Sequence, residues 1–588
     1  MADEAKTYGI EESNADQRRS SNDLRSAAEA LLEAAQSMVR SGNQLTQLMQ
    51  TMTSTSGLGM LQRQSSAAGQ APMTVQINTW EDDPFSEAVP TTNPPIATPV
   101  AANLPQNDNP RLQTTIVEPR PAPARYAPGI ANFRYWATAE AITRGINFWA
   151  SLLPAGTTWS TSNPMRITLV AGTDLNANYS RPAGLRFYHQ VVQNRDIFSC
   201  ESPDVACHEL GHAVLDALKP QLFNAASAET GAFHESFGDM SGILSALQLQ
   251  SVRIKVLAET GGRLDTNSRM SRLAEQLGWA IRQLAPDAVD RDCLRNAANR
   301  FSYRPPNTLP PRAPAAQLSS EVHSFSRVFT GAFLDALAGM FRISGAPNEA
   351  NLLAVTRDMG QLLVDGVHIA PISSAYYSSV AAAMIQADKA RNGGKYTKAL
   401  TSAFVGRSIL SVHSALDVGG APVPQQAPAA IGMGIAGDTG QGSPVILTYE
   451  GQANDAAYRL GQGQTPELPT IATSLGRELT VRVHAVEADM IGIFGFSVLP
   501  AVFGEIQATP MSADQAANSF LEDLIQTGRV DVGAARGSLF DLSENDTSKT
   551  THMLVPDPDN QGSLILKRKH FDCGFCDRIA GSSRLECI

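Results

Sequence analysis

The stretch DVACHELGHAVLD, residues 204–216, sets two histidines four apart, His208 and His212, with Glu209 directly after the first. On a helix, four positions bring His212 back to within about 40° of His208, one turn along. Both imidazoles can then reach one metal ion. Glu209 lies one step round, poorly placed to ligate that ion but able to reach a water on it. An ordinary helix carrying two histidines is the bland alternative. Downstream, ETGAFHESFGDMSGIL, residues 229–244, reads as a second amphipathic helix. Phe233, Phe237, Met240 and Leu244 give it an apolar face, and Glu235 and Asp239 lie four apart on another. Two acids among so many apolar residues are costly unless paired or bound to metal, although a solvated face would also hold them. Two neutral histidines and one carboxylate leave a zinc ion with a net charge of about +1 and an open fourth position, as in catalytic rather than structural sites.

A second set of possible ligands lies in HFDCGFCDRIAGSSRLEC: His570, Cys573, Cys576 and Cys587. Their spacing suits a second, structural zinc, or equally a tail of free thiols. Cys207 reads as a small core residue. The glycine-rich IGMGIAGDTGQG lacks a strand–helix context and is a loop, not a phosphate cradle.

The paired histidines need a helix, and the local signals supply one. Ser202 is a good N-cap, Pro203 suits the first turn, Asp204 suits the positive end of the helix dipole, and Lys219-Pro220 ends the run. Upstream, NFRYWATAEAITRGINFWASLL has helical apolar spacing, while MRITLVAG and LRFYHQVV read as strands. From Ser202 to about Ala415 the pattern is mostly helical. SPVILTYEG, ELTVRVHAV and IGIFGFSVLP then read as short strands, and SADQAANSFLEDLIQTG as a helix capped by Ser512. Residues 22–52 carry a weak heptad seam, an amphipathic helix that could dock a partner or self-associate. The Pro-rich stretch after it reads as a disordered linker. The expected division is an N-terminal arm (1–130), a catalytic-type domain (131–415), a small β-rich domain (416–505) and a helix with a polar tail (506–588).

The chain has 588 residues, enough for several domains, and a formal charge of −11, which argues against a nucleic-acid partner. The start of the sequence has no apolar core behind a basic segment, so no secretory signal is read there. No run of about 18 apolar residues exists to span a membrane. Six cysteines in this length are no disulfide framework. Together these suit a cytoplasmic protein or one exported without a leader.

His-Glu-x-x-His on one helix, followed by Gly-Ala-x-x-Glu-x-x-x-Asp on the next, resembles the thermolysin family of zinc metalloendopeptidases, the gluzincins. The resemblance covers about residues 130–415. It implies an α+β, two-lobed thermolysin-like domain, with a β-rich lobe (131–200), a helical lobe (203–415) and a cleft between them. It implies that His208, His212 and Glu235 bind one catalytic Zn2+, that Glu209 is the general base, and that Asp239 orients a histidine ligand. LNANYSRPAGLRFYHQ is similar to the family's edge strand, which would put Asn176 and Ala177 beside an extended protein or peptide substrate. CLRNAANRFSY resembles the segment whose arginine holds the substrate carbonyl, matching Arg295. VHSFSRVFTGAFLDAL resembles the segment whose histidine steadies the oxyanion, matching His323.

The sequence departs from the family at four points. Phe223 stands where an oxyanion tyrosine is expected, and His234 where an asparagine is. The acid five residues before the oxyanion histidine is Leu318, although Glu321 lies two before it. The family's clustered calcium-binding acids are not apparent. A binding or assembly module with little or no hydrolysis is therefore the alternative reading. A gluzincin aminopeptidase would need a Gly-x-Met-Glu-Asn signature, which is absent, and a metzincin is excluded because Leu215 and Leu218 stand where Gly and a third His would be.

Overall fold

Aromatic and branched residues spaced three and four apart bury one side of the first long helix. Phe133, Trp136, Ile142, Ile146 and Trp149 all face the interior. The computed structural model describes residues 75–87, 94–411, 470–472, 478–483, 511–531, 550–557 and 563–573. All fall in one compact unit, Thr74–Ile588. The heptad helix of residues 22–52 and the strands SPVILTYEG and IGIFGFSVLP lie outside the described residues.

In chain order, β1 (Gln76–Thr79), β2 (Val100–Asn103) and β3 (Thr114–Ile116) precede α1 (Ala131–Ala150). Strands β4 (Met165–Thr168), β5 (Ala177–Ser180), β6 (Gly184–Phe187), β7 (His189–Val192) and β8 (Arg195–Phe198) lead into α2 (Pro203–Leu218) and α3 (Ala228–Ala246). Then come α4 (Gln250–Thr260), β9 (Arg272–Leu273), α5 (Glu275–Leu284), β10 (Arg295–Asn296), α6 (Val322–Ile343), α7 (Glu349–Ile369), α8 (Tyr376–Asn392) and α9 (Thr397–Gly406). The C-terminal part holds β11 (Thr470–Ala472), β12 (Glu478–Arg482), α10 (Ala513–Gln526), β13 (Val530–Asp531), β14 (His552–Pro556), β15 (Ser563–Arg568) and β16 (Phe571–Asp572). The fold is mixed α and β, with strands before α2 and mostly helices from α2 to α9. No helix among the described residues is long and apolar enough to cross a membrane.

Two corrections to the expected division follow. Residues 75–87 and 94–130 are not an unordered arm. β3 runs parallel to β4 in the main sheet, and Ile77, Trp80, Phe85 and Leu112 are buried. Trp80 packs edge-on against Phe133 at 5.1 Å and Phe85 against Trp279 at 5.6 Å. Proline-rich composition rules out a core built by the segment itself. It does not rule out single aromatic anchors set into a neighbouring core, and that is what these residues supply.

The second correction concerns the boundary at 505. β11, β12, β15, β14 and β13 form one five-stranded sheet in that spatial order, so strands from both sides of the boundary share it. Its small core, with Phe520, Leu521, Leu524, Leu554 and Leu566, also contains Ala226 and Ala228 at the start of α3, with Val322 packed against it. The C-terminal sheet thus docks beside the helices that carry the histidines. β16 leaves this sheet and joins the other, whose order is β16-β5-β6-β4-β3. The outer edge of β5 is therefore covered by residues from the end of the described chain.

Candidate metal centre

Local signals fix the two helices that matter. The Ser202 side chain caps α2 by accepting from the Val205 N–H, with Pro203 in the first turn. The Ser227 hydroxyl caps α3 by accepting from the Thr230 N–H at 3.1 Å. The helices cross at contact distance because two glycines face each other. A Cβ on Gly211 would lie 2.9 Å from the Gly238 Cα, and one on Gly238 would lie 2.6 Å from the His208 ring. Trp149 of α1 braces the crossing by donating its Nε1–H to Ser241 at 2.9 Å and stacking on Phe237 at 5.0 Å.

At this crossing His208, His212 and Glu235 converge, with one ligand atom of each lying within 4.8 Å of the others. His208 Nε2 is 3.3 Å and His212 Nε2 3.7 Å from the Glu235 carboxylate. All three residues are buried. Yet among the described residues His208 Nε2, His212 Nε2 and Glu235 Oε2 have no hydrogen-bond partner, nor does either oxygen of Glu209.

The reason lies on the far sides of the rings. His208 Nδ1 is 3.0 Å from Asp239 Oδ1. Although burial pushes the Asp239 carboxyl up, the Arg295 guanidinium and His208 hold it well below the usual carboxylate range. It is therefore an acceptor, and in the tautomer that gives it the Nδ1 proton His208 turns a lone pair at Nε2 toward Glu235. His212 Nδ1 meets His234 Nδ1 at 3.3 Å, and burial followed by the nearby His208 keeps His212 neutral, its pKa well below the ordinary value. With the proton on His212 Nδ1, its Nε2 also presents a lone pair. Two lone pairs and a carboxylate facing one another in a dry site repel unless a cation lies among them. The donor set, two imidazoles and one carboxylate, fits zinc with a position left open.

Glu209 stands beside this group. Burial, then the negative charge of Glu235, pushes its pKa well above the ordinary value, while Arg295 and His323 oppose the shift. Arg295 on β10 is buried and grips Asp239 with Nε at 3.2 Å and Nη2 at 2.8 Å. Its Nη1 has no hydrogen-bond partner among the described residues. His323, in the first turn of α6, donates Nδ1–H to Glu321, which also caps α6 by accepting from Ser324 N–H. Its Nε2 lies 3.3 Å from Glu235 and donates to the Asp572 carbonyl. Both ring nitrogens face oxygens, an arrangement that a doubly protonated imidazole satisfies.

Glu321, two residues before His323, thus does the orienting work that Leu318 could not do. His234, a departure in the sequence, is the group that holds His212. Phe223 is buried against Phe571 at 5.5 Å, so no hydroxyl enters from that position. Ala177 opens β5, and its carbonyl accepts from Cys573 N–H at 3.0 Å, while Asn176 Oδ1 accepts from Ala177 N–H at 2.8 Å.

Of the tail's possible ligands, only His570 and Cys573 lie within the described residues; Cys576 and Cys587 lie outside them. Among the described residues Cys573 groups with His208 and Glu209, and His570 belongs to no ligand group. The cause is the pairing of β16 with β5, which carries Cys573 to the histidine helix. Acids that the sequence scatters are also gathered: Asp83, Asp204 and Glu275 come together in the interior. Asp83 accepts from Phe85 and Gln276 N–H, and Asp204 from Ala274 N–H. Their wide separation in the chain is why no motif announces them. In comparison with known proteins, the chain matches no family model and no curated protein sequence.

Proposed function

We propose that the protein is a zinc-dependent endopeptidase of thermolysin-like design. His208, His212 and Glu235 would hold the ion, Glu209 would be the general base, and His323 and Arg295 would hold the substrate carbonyl. The observation that carries the reading is the convergence of unpartnered Nε2, Nε2 and Oε2 atoms beside an equally unpartnered Glu209. Buried polar atoms without partners are rare, and five at one point call for a ligand.

Zinc held there supplies Lewis acidity to a carbonyl and acidifies a water. The chain's own residues do the rest. The β5 edge offers backbone groups to an extended peptide, and the Ala177 carbonyl can accept the N–H of the scissile bond. Glu209 takes a proton on its carboxylate and passes it to the leaving nitrogen. His323 donates Nε2–H to the carbonyl oxygen as negative charge grows, and Arg295 Nη1, which has no hydrogen-bond partner among the described residues, can donate beside it. Asp239 and His234 keep the two ligand imidazoles in the tautomers that ligation requires.

The test is digestion of a peptide library by the zinc-loaded wild type and by Glu209→Gln, with zinc content measured in both. Cleavage by the wild type, its loss in Glu209→Gln and equal zinc support the reading. A binding or assembly module predicts zinc without cleavage in either protein, also after the groove is opened.

A further inference from the structure

The residues read as a peptide groove already hold a peptide, and it belongs to this chain. β16 lies antiparallel on the β5 edge, Phe571 opposite Tyr179 and Asp572 opposite Asn178. The Asp572 carbonyl receives the His323 Nε2–H, and Cys573 N–H donates to the Ala177 carbonyl. These are the contacts the proposed function assigns to a substrate. The segment is also anchored on both sides. Arg529 pairs with the Asp572 carboxylate at 2.6 Å, and the Phe571 ring stacks on His234 at 3.9 Å and His212 at 4.8 Å. The Arg568 guanidinium covers the same ring at 4.0 Å and donates from Nε to the Phe223 carbonyl.

The next residue decides what this occupant does. The Cys573 sulfur, His208 and Glu209 offer ligand atoms within 4.8 Å of one another, and Arg295 Nη2 is 3.7 Å from the sulfur. Cys573 is buried. Its sulfur thus lies beside His208 and Glu209, where a water must sit to give Glu209 a proton; it does not group with His212 and Glu235, so to ligate the same ion it must shift toward them. Cysteine sulfur is a preferred zinc ligand.

Resting on the metallopeptidase reading, we infer that the Phe571–Asp572 strand is a built-in occupant of the peptide groove and that the Cys573 sulfur moves onto the ion as its fourth ligand, which holds cleavage by the full chain to a low rate. The sulfur displaces the water, so the bond it borders is held as a substrate is held but is not cut.

The test uses the full chain with cobalt in place of zinc. A cobalt–thiolate bond gives a near-ultraviolet charge-transfer absorption that nitrogen and oxygen ligands do not. That band is expected in the wild type and absent in Cys573→Ser at equal cobalt content. Maleimide should modify Cys573, followed by peptide mapping, only after a chelator removes the metal. Cys200, Cys207 and Cys293 are buried and serve as internal references. Arg529→Gln, which removes the partner of Asp572 without touching the ligands, should speed the labelling of metal-loaded protein. Peptide hydrolysis should rise by about tenfold or more when Cys573→Ser is combined with Arg529→Gln, which returns the water's place and loosens a tethered strand that competes at an effective concentration on the order of millimolar. Cobalt bound without the band, with labelling indifferent to chelator, overturns this inference and leaves the three-ligand site standing. Failure to bind cobalt at all removes the metal site itself. A wild-type chain whose mass ends at Asp572 makes the segment a substrate, which also overturns latency.

Discussion

Replacing Gly238 with alanine separates helix propensity from site geometry, because the two act with opposite sign. In a helix interior, alanine is favoured over glycine by about 0.8–1.0 kcal/mol. The added methyl, however, would lie 2.6 Å from the His208 ring, and ordinary contact begins at 3.4 Å. Ring and methyl must therefore part by about 0.8 Å, a gap that a buried ring can open only by moving. Overpacking of this kind costs about 1–3 kcal/mol, so the net change in stability runs from near neutral to a loss of about 2 kcal/mol. The effect on metal binding is larger in consequence. Zinc–ligand distances tolerate about 0.2 Å, and the moving ring also carries the 3.0 Å contact with Asp239. Zinc affinity should fall by at least about tenfold, or 1.4 kcal/mol. Competition with a chromogenic chelator measures the affinity and thermal unfolding the stability. Gly406→Ala, whose methyl meets nothing within 4 Å, is the control. A Gly238→Ala protein that melts no lower than wild type and binds zinc as tightly would refute the packing argument.

Three further outcomes are expected. His323→Ala should lower kcat for peptide cleavage by about a hundredfold to a thousandfold with zinc content unchanged, as for a lost oxyanion donor; unchanged turnover would take His323 out of the mechanism. His234→Phe keeps a ring to stack on Phe571 but removes the acceptor for His212 Nδ1–H, so zinc affinity should drop by about 10–100-fold in chelator competition, and an unaltered affinity would mean that His212 needs no such partner. Burial pushes the carboxyls of Asp82 and Asp83 up to about 6. Because the folded pKa lies above the unfolded value, their protons stabilise the fold below about pH 4, and that contribution is lost as pH rises through 6. The loss is on the order of 3 kcal/mol per group. Urea unfolding of chelator-treated wild type and Asp83→Asn should therefore diverge between pH 4 and 6, and parallel pH profiles would contradict the burial argument.

The elements that were legible in the sequence are those whose signals are local. Ser202, Pro203 and Asp204 mark the start of α2 within a few residues of each other, and Ser512 with Gln515 forms a full capping box at α10. The i, i+4 spacing of His208 and His212 needs only helical geometry, and the fold brings Glu235 to them across the Gly211–Gly238 contact. What composition obscured depends on distant partners. Trp80 and Phe85 are buried by α1 and α5, not by their own segment. The spacing of Cys573 with Cys576 and Cys587 suited either a ligand set within the tail or free thiols, and neither placed Cys573 at the histidines. The β16–β5 pairing, which carries Cys573 to His208, has no sequence signal, because a two-residue strand has too few positions to show alternation. His234 and Glu321 appeared only as mismatches to a motif. Their roles became visible once the rings they hold were located.

The most direct test of the central claim is the zinc content of the purified wild type set against Glu235→Gln, by elemental analysis after identical zinc loading and dialysis. The substitution keeps the shape of the side chain and removes the charge that offsets the ion. The arrangement of His208, His212 and Glu235 predicts about one zinc per wild-type chain, since the three supply a single ligand set, and a large loss in Glu235→Gln. Equal zinc in the two proteins would remove Glu235 from the site, and zinc-free wild type would leave the facing lone pairs of His208 and His212 without the cation that explains them.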